Sequence, residues 1–537
     1  MTKHTEKNGS WEKLLGAATA RKPTRREFVQ LAIAAGLTVS TAEALFVSTA
    51  RAAPKRGGSF KGAIGDGSTQ DSLDPGTWNN GFTALFGPAM IGATLVHLDQ
   101  KNNTQPNLAE SIEFDGNAAK WVIKLRKGLI FHNGKTLTSS DVAATYNFHR
   151  NEKSKSAAKS LLAGISDIKT DGKEALVITL KEANADFPYV LADYHLPIYQ
   201  EKDGGGIEWE KGVSAGPFIL DSYEPGVRLK ARRNPNYHKT GMPYFDDIDL
   251  LSVIDPAARS NALVSGDVHY MDRCDLKTID LLTNNPDIEV DKVTTFFQYH
   301  ALMNVTMPPF DNVDVRLALK WSLDRAALVN TGVFGFGIPG NDNPIAPQTK
   351  FAINPEPVHK YDPEKVRFHL KKAGLSSLKV DFSTSDAAFA TAVDTALLMK
   401  DQAGKAGIDI NVIREPADGY WNNVWMKKPF CMSYWGGRPN CDYAFTTLYT
   451  EDAPWNDTAW KNPRFNELVR VARSKTDDEE RAALYAEAQQ IIHDDGGLIL
   501  LMFPKILEAH TKKIAHGELN TNFPNDGELF VERWWFV

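Results

Sequence analysis

The residues of this chain best equipped for chemistry fall in two places. The first is Gly212-Val213-Ser214-Ala215-Gly216, a match to the G-x-S-x-G elbow that sets a nucleophilic serine between a strand and a helix. Its surroundings do not suit that role. Glu208-Trp209-Glu210-Lys211 before it is no buried strand, and Pro217-Phe218-Ile219-Leu220 after it opens a strand rather than a helix. A glycine-rich connection is expected there, with a secreted hydrolase using Ser214 as the alternative. The second place gathers Trp421, Trp425, Tyr434, Trp435, Arg438, Asp442, Tyr443 and Phe445 within twenty-five residues. Aromatic walls with a few placed charges are what a pocket for a small solute needs. Arg438 offers a planar fork suited to a carboxylate or phosphate.

Other chemical signals are weak. The 13 histidines are scattered without H-E-x-x-H spacing, and no aspartates follow the D-x-D-x-D-G pattern of a calcium loop. Neither a metal site nor a cofactor is expected. Gly204-Gly205-Gly206 lacks the strand before and helix after that a phosphate loop requires, so it reads as a flexible turn.

The elements that must position these residues are mixed α/β. Trp121 to Leu125 and Leu129 to Phe131 are strand-like, His132 to Lys135 is a turn, and Thr138-Ser139-Ser140-Asp141 caps a helix reaching about His149. Ala175 to Leu180 is a strand rich in β-branched residues, and two strand-like runs between Pro217 and Arg232 flank the turn Glu224-Pro225-Gly226. Val315, Leu319, Leu323 and Ala326 keep helical spacing, with Asp314 as cap and Gly332 as stop. Asp362-Pro363 starts a helix that Gly374 ends. Leu378–Phe382, Ala387–Ala406 and Ile408–Ile413 form a βαβ unit, whose strands should be parallel. A long helix capped at Thr476-Asp477 runs to about Ile492, before an apolar strand at Leu498–Phe503.

Composition sets the outer bounds. The chain has 537 residues, 42% hydrophobic and 24% charged, enough for two large or three ordinary domains and too much for a minimal module. A net charge of −6 argues against nucleic acid, whose binders concentrate Lys and Arg. Three cysteines rule out a disulfide scaffold; Cys431 and Cys441 are close enough in sequence to pair, but small buried hydrophobes are an equal reading.

The first fifty residues differ from the rest. Arg21, Lys22, Arg25 and Arg26 precede an apolar run from Leu31 to Val47, followed by Ala50-Arg51-Ala52, the three-part layout of a signal peptide. The run is 17 residues long and includes Glu43, whereas a membrane span needs about 20 predominantly apolar residues. Thr24-Arg25-Arg26-Glu27-Phe28-Val29 resembles a twin-arginine export signal. Cleavage near Ala52 would remove eight Lys/Arg and four Asp/Glu, taking the charge from −6 to −10. No cysteine follows the cleavage point, so a freely soluble periplasmic monomer is expected, with no stable membrane insertion.

An ordered series of segments spans nearly the whole remaining chain. Leu73-Asp74-Pro75 is followed by Phe131-His132-Asn133-Gly134-Lys135-Thr136-Leu137, then Ala215-Gly216-Pro217-Phe218 with Arg233-Asn234-Pro235-Asn236-Tyr237. Ser265-Gly266-Asp267-Val268, Val315-Arg316-Leu317-Ala318-Leu319 with Asp324-Arg325, and Tyr361-Asp362-Pro363 through Ala373-Gly374 complete it. The set resembles the family 5 solute-binding proteins of ABC importers, whose members bind peptides, nickel complexes, opines and related solutes. The resemblance implies an α/β, two-lobed periplasmic-binding-protein fold, type II-like with a small extra domain, that closes on its ligand and delivers it to a permease with its ATPases. It implies no catalysis. The implied division is residues 54–98, 208–296 and 503–537 for the first lobe, 99–207 for the extra domain and 297–502 for the second. By analogy with peptide-binding relatives, Asp442 would meet the ligand's α-ammonium. No Asp-Pro follows Asp442, a departure from the commoner family pattern that leaves a simple peptide less well supported. A nickel or metallophore receptor of the same fold is the remaining alternative.

Changing Arg25 and Arg26 both to Lys should leave uncleaved precursor in the cytoplasm. Cell fractionation and immunoblotting check this, and normal periplasmic yield of the double variant would contradict the twin-arginine assignment.

Overall fold

Leu498–Thr511 is a single strand of 14 residues, and it ties the molecule together. Its sequence, apolar through Phe503 and buried along most of its length, is that of a strand covered on both faces. The computed structural model describes residues 54–88, 90–416, 420–453 and 455–537. The basic and apolar segment assigned to export, with Ala50-Arg51-Ala52, lies outside the described residues.

The first part of the long strand, Leu498 to Met502, pairs antiparallel with Gln298–Met303. Its second part, Lys505 to Thr511, pairs antiparallel with Ile288–Thr294. The chain therefore crosses twice, side by side, at 295–297 and 503–505, between two half-sheets. On one side, Gln298–Met303 continues to Phe430–Trp435, then Leu378–Thr384 and Ile408–Arg414. On the other, the long strand continues through Tyr270–Met271 to Ser59–Ile64, Asp247–Ser252, Arg228–Arg233 and Phe218–Glu224. The sequence reading ended the long strand at Phe503. Pro504 and the interspersed Lys505, Glu508 and His510 hid its continuation, which is buried because Ile288–Thr294 and Tyr270–Met271 pair on either side of it.

The βαβ unit is present with parallel strands, Leu378 opposite Ile408. Its helix starts at Ala392, not Ala387, because Ala388 and Phe389 enter the core from a turn on Ser385. The expected helix from Val315 to Gly332 is two helices, Val313–Trp321 capped by Asn312 and Arg325–Val333 capped by Asp324. Asp324 accepts from the Ala327 amide at 3.1 Å, which starts a new helix where apolar spacing alone continues the old one. Gly332 is not a stop. A Cβ there would come within 2.9 Å of Met502 Cε, so its bareness lets the helix press against the long strand.

A separate antiparallel sheet holds Ala109–Asp115, Lys120–Leu125, Ala175–Leu180 and Ile165–Asp171, with Ser139–Arg150 packed on it through Val142 and Tyr146. Among the described residues no helix is long and apolar enough to cross a membrane.

The start of the long strand is fixed by a buried ionic knot. Asp342, fully buried, takes both oxygens to Arg325 at 2.8 Å and accepts the Leu500 amide at 2.9 Å. Arg325 spends its other donors on the carbonyls of Leu500, His359 and Lys320. Removing one partner leaves an unpaired buried charge, which costs about 3–5 kcal/mol. Asp342→Ala should therefore lower the urea midpoint by a corresponding amount at an unchanged slope, and a loss under about 1 kcal/mol would contradict this role for the knot.

Candidate ligand-binding site

The strand Phe430–Trp435 leaves the sheet edge at Gly436-Gly437 and turns into the helix Cys441–Leu448. Gly437 is required by closeness: a Cβ there would lie 2.6 Å from the Asn522 carbonyl oxygen. Asn440 caps the helix by accepting the Tyr443 amide at 2.8 Å. This turn holds Arg438 in a cradle of rings, its guanidinium carbon 5.2 Å from the Tyr443 centroid, 5.7 Å from Trp455 and 5.9 Å from Trp435. One Arg438 Nη donates to the Gly437 carbonyl at 3.0 Å. Its Nε is buried with no hydrogen-bond partner among the described residues.

The guanidinium faces a cavity of about 410 Å³ walled by four stretches of chain. These are Trp78 to Leu98, the segment from Ala157 to His195, Gly437 to Trp455, and Asn522 to Leu529. Two acids, Asp193 and Glu528, stand on its wall. Asp193 sits 2.6 Å from His195 Nδ1 and accepts from the Tyr443 hydroxyl at 3.4 Å. Burial pushes its carboxyl up, but His195's charge and hydrogen bonds outweigh that and hold it below the usual range. Glu528 is the opposite case, since burial raises it well above its ordinary value despite the opposing charge of Arg273. His97 also reaches this cavity, with its Nδ1 unpartnered, and burial with nearby Lys239 lowers its pKa to about 3.

The wall near Glu528 carries strain. Asn525, Asp526, Gly527 and Glu528 have φ of 58°, 56°, 66° and 65°, one left-handed turn that mostly non-glycine residues adopt at a cost. Surrounding bonds impose it: Asn525 N–H to Glu508 at 2.6 Å, Asn520 N–H to Asp526 at 2.7 Å, and the Tyr270 hydroxyl to Asn525 at 2.8 Å.

The remaining expected site residues separate. Trp425 and Trp435 both donate their indole N–H to one oxygen of buried Asp457, at 3.2 and 3.0 Å. Trp435 thereby braces Arg438 from behind. Trp421 and Tyr434 lie edge to face, 5.5 Å apart, and remain 36% and 37% exposed outside the cavity. Asp442 is buried and closed on Arg473 by hydrogen bonds of 2.9, 3.1 and 3.1 Å. Both line a second cavity of about 760 Å³, which shares Ser160, Leu161, Tyr189, Tyr443 and Thr447 with the first. Above the larger space, Arg481 pairs with Asp186 and the Ala185 amide donates to the Arg473 carbonyl at 2.9 Å, fastening the two sides of the cleft.

Residues 103–457 match the model for bacterial extracellular solute-binding proteins, family 5. The chain belongs to that family. The glutathione-binding protein GsiB of Escherichia coli strain K12 is 26% identical over 467 residues, covering 84% of this chain and 90% of that protein. Among solved structures, the periplasmic binding protein DppA of Helicobacter pylori, in complex with the peptide STSA, superposes with a TM-score of 0.76 at 22% identity, covering 90% of this chain and 99% of that one. NikZ of Campylobacter jejuni, in complex with Ni(L-His), gives 0.72 at 16% identity, covering 86% and 96%. The fold is thus the two-lobed α/β fold of periplasmic binding proteins, as the resemblance implied. The function that accompanies it is capture of a solute for an ABC importer.

In this family 5 protein the hydrolase alternative has no geometry behind it. Ser214 is fully buried, its hydroxyl donates to the Ile198 carbonyl at 2.6 Å, and His132 turns Nε2 to the Gly216 carbonyl at 3.0 Å. Cys431 and Cys441 are buried free thiols. Sequence reasoning missed Asp193, His195, Trp455, Asp457 and the 525–528 turn. Asn-Asp-Gly, a run that tolerates left-handed backbone, was the available signal for the last; the others are brought in only by tertiary contacts.

Asp457 makes the cradle sensitive to pH. Burial raises its pKa to about 7 against the two indole donors. The folded state therefore binds a proton that the unfolded chain has released, so this contribution is fully present below about pH 4 and is lost as pH rises through about 7. Thermal stability should fall across that window more steeply in the native protein than in Asp457→Asn. Parallel profiles would contradict a protonated Asp457.

Proposed function

We propose that this family 5 protein is an exported, non-catalytic periplasmic receptor for a small anionic solute of peptide type, held in the cavity at Arg438. The observation that carries this is a guanidinium framed by Tyr443, Trp435 and Trp455 with its Nε buried and unspent. A buried donor without a partner is costly, and a ligand carboxylate or phosphate would satisfy it. Asp193 is paired with His195 and burial disfavours a charge on Glu528, so a net negative ligand fits the balance better than a cationic one. The glutathione-binding relatives support this class, since that tripeptide carries an excess of carboxylates.

The lobes of this proposal are those of the sequence division, residues 54–98, 208–296 and 503–537 against 297–502, with 99–207 as the extra domain. They rock about the two adjacent crossings, where a few backbone torsions suffice for closure. Arg438, Trp435 and Tyr443 belong to the second lobe. Asp442 acts as the partner of Arg473 at the larger cavity, into which the rest of the ligand extends. Trp421, Trp425 and Tyr434 buttress the same edge. A permease with its ATPases receives the solute, and the receptor works as a monomer.

Calorimetry with glutathione and with di- and tripeptides tests the assignment. Losing one member of a desolvated charge pair costs about 2–5 kcal/mol, so Arg438→Gln should weaken binding by roughly 30-fold or more with folding intact. Equal affinity in the variant, or turnover of a bound peptide, would overturn it.

A further inference from the structure

Three side chains meet where the second part of the long strand pairs with Ile288–Thr294. Asp291 lies opposite Glu508 in the ladder, so His510, two residues on, projects from the same face as its diagonal neighbour. His516 arrives from just past the short strand Ile514–Ala515, held by stacking on Trp534 at 4.7 Å. Asp291 Oδ2 is 3.2 Å from His516 Nε2 and 3.4 Å from His510 Nε2.

The protons on these rings are placed by their other nitrogens. His510 Nδ1 faces the Thr511 carbonyl at 3.0 Å and His516 Nδ1 faces the Gly517 carbonyl at 2.8 Å. Carbonyls only accept, so both Nδ1 atoms carry hydrogen and, in neutral rings, both Nε2 atoms present lone pairs to a carboxylate. His510 is 1% exposed, and its Nε2 and the Asp291 oxygen both lack a hydrogen-bond partner. Protonating His516 would satisfy one contact and leave the His510 lone pair directed at the carboxylate. A cation among the three satisfies all of them.

We propose that Asp291, His510 and His516 bind a divalent transition-metal ion of the zinc type. Each imidazole already has the carbonyl partner on its far nitrogen that orients a metal-binding histidine. Nitrogen and oxygen ligands about 2.0–2.1 Å from zinc at tetrahedral angles lie roughly 3.3 Å apart, close to the separations found here. Asp291 remains 13% exposed and His516 9%, leaving an approach from solvent and room for water as the fourth ligand. The ion would join three stretches of chain next to the crossing and act as a structural clip, independent of the solute.

The test uses the full, untagged chain, stripped with a chelator, incubated with zinc and freed of excess. Metal analysis should find one zinc retained per chain, and zinc should raise the melting temperature. His516→Gln, at the edge of the cluster, and Asp291→Asn should each lose that equivalent and that rise. Cobalt(II) should give the intense visible bands of a tetrahedral site in the native chain and not in His516→Gln. If the native chain retains no zinc, or the folded His516→Gln protein binds and is stabilised by zinc equally, the site does not exist.

Discussion

Two strand crossings tie the halves of this molecule together, with Thr294 paired to Lys505 on one side of them and Tyr299 to Met502 on the other. Leu498–Thr511 gives its first residues to one half-sheet and its last to the other, and its neighbour from Ile288 to Met303 does the same. Side-by-side crossings limit how the halves can move, because bending one strand bends its partner about the same line. The buried Arg325–Asp342 knot grips the strand at Leu500, just before the crossing. The second crossing is itself held on its other side, where Phe503 and Pro504 pair with Ile338 and Gly337.

The electrostatics of the Arg438 cavity follow from burial. Three aromatic faces surround the Arg438 guanidinium and attract it without offering a hydrogen-bond acceptor. Asp193 is matched by His195, and desolvation pushes the Glu528 carboxyl well above its ordinary range. The Arg438 Nε is thus a buried donor without a hydrogen-bond partner among the described residues, on the wall of that cavity. Trp435 donates its indole N–H to Asp457, so the cradle rests on a carboxyl whose pKa burial raises to about 7.

Local features were legible in the sequence wherever short-range chemistry decided them. The Asp362-Pro363 helix start, the βαβ unit and the hairpin around Gly226 needed only caps, prolines and alternation. The family resemblance came from ordered short segments for the same reason. What stayed hidden was set by distant partners. Lys505 to Thr511, with its interspersed polar residues, becomes a buried strand between Ile288–Thr294 and Tyr270–Met271; Asp324 restarts a helix that apolar spacing would continue. Of the site, Arg438, Trp435 and Tyr443 were visible as a cluster. Asp442 has the right type and neighbourhood, yet only the fold reveals that Arg473 holds it. Asp291, His510 and His516, separated by more than two hundred positions, share no spacing a motif could register.

The central claim is that the solute bound here is an anion gripped by Arg438. Native mass spectrometry of protein purified from the periplasm, followed by release and fragmentation of the co-purified ligand, tests this most directly. The account predicts a small ligand bearing a carboxylate or phosphate, present on the native protein and absent from Arg438→Gln. A ligand with no acidic group, or one retained equally by the variant, would contradict it.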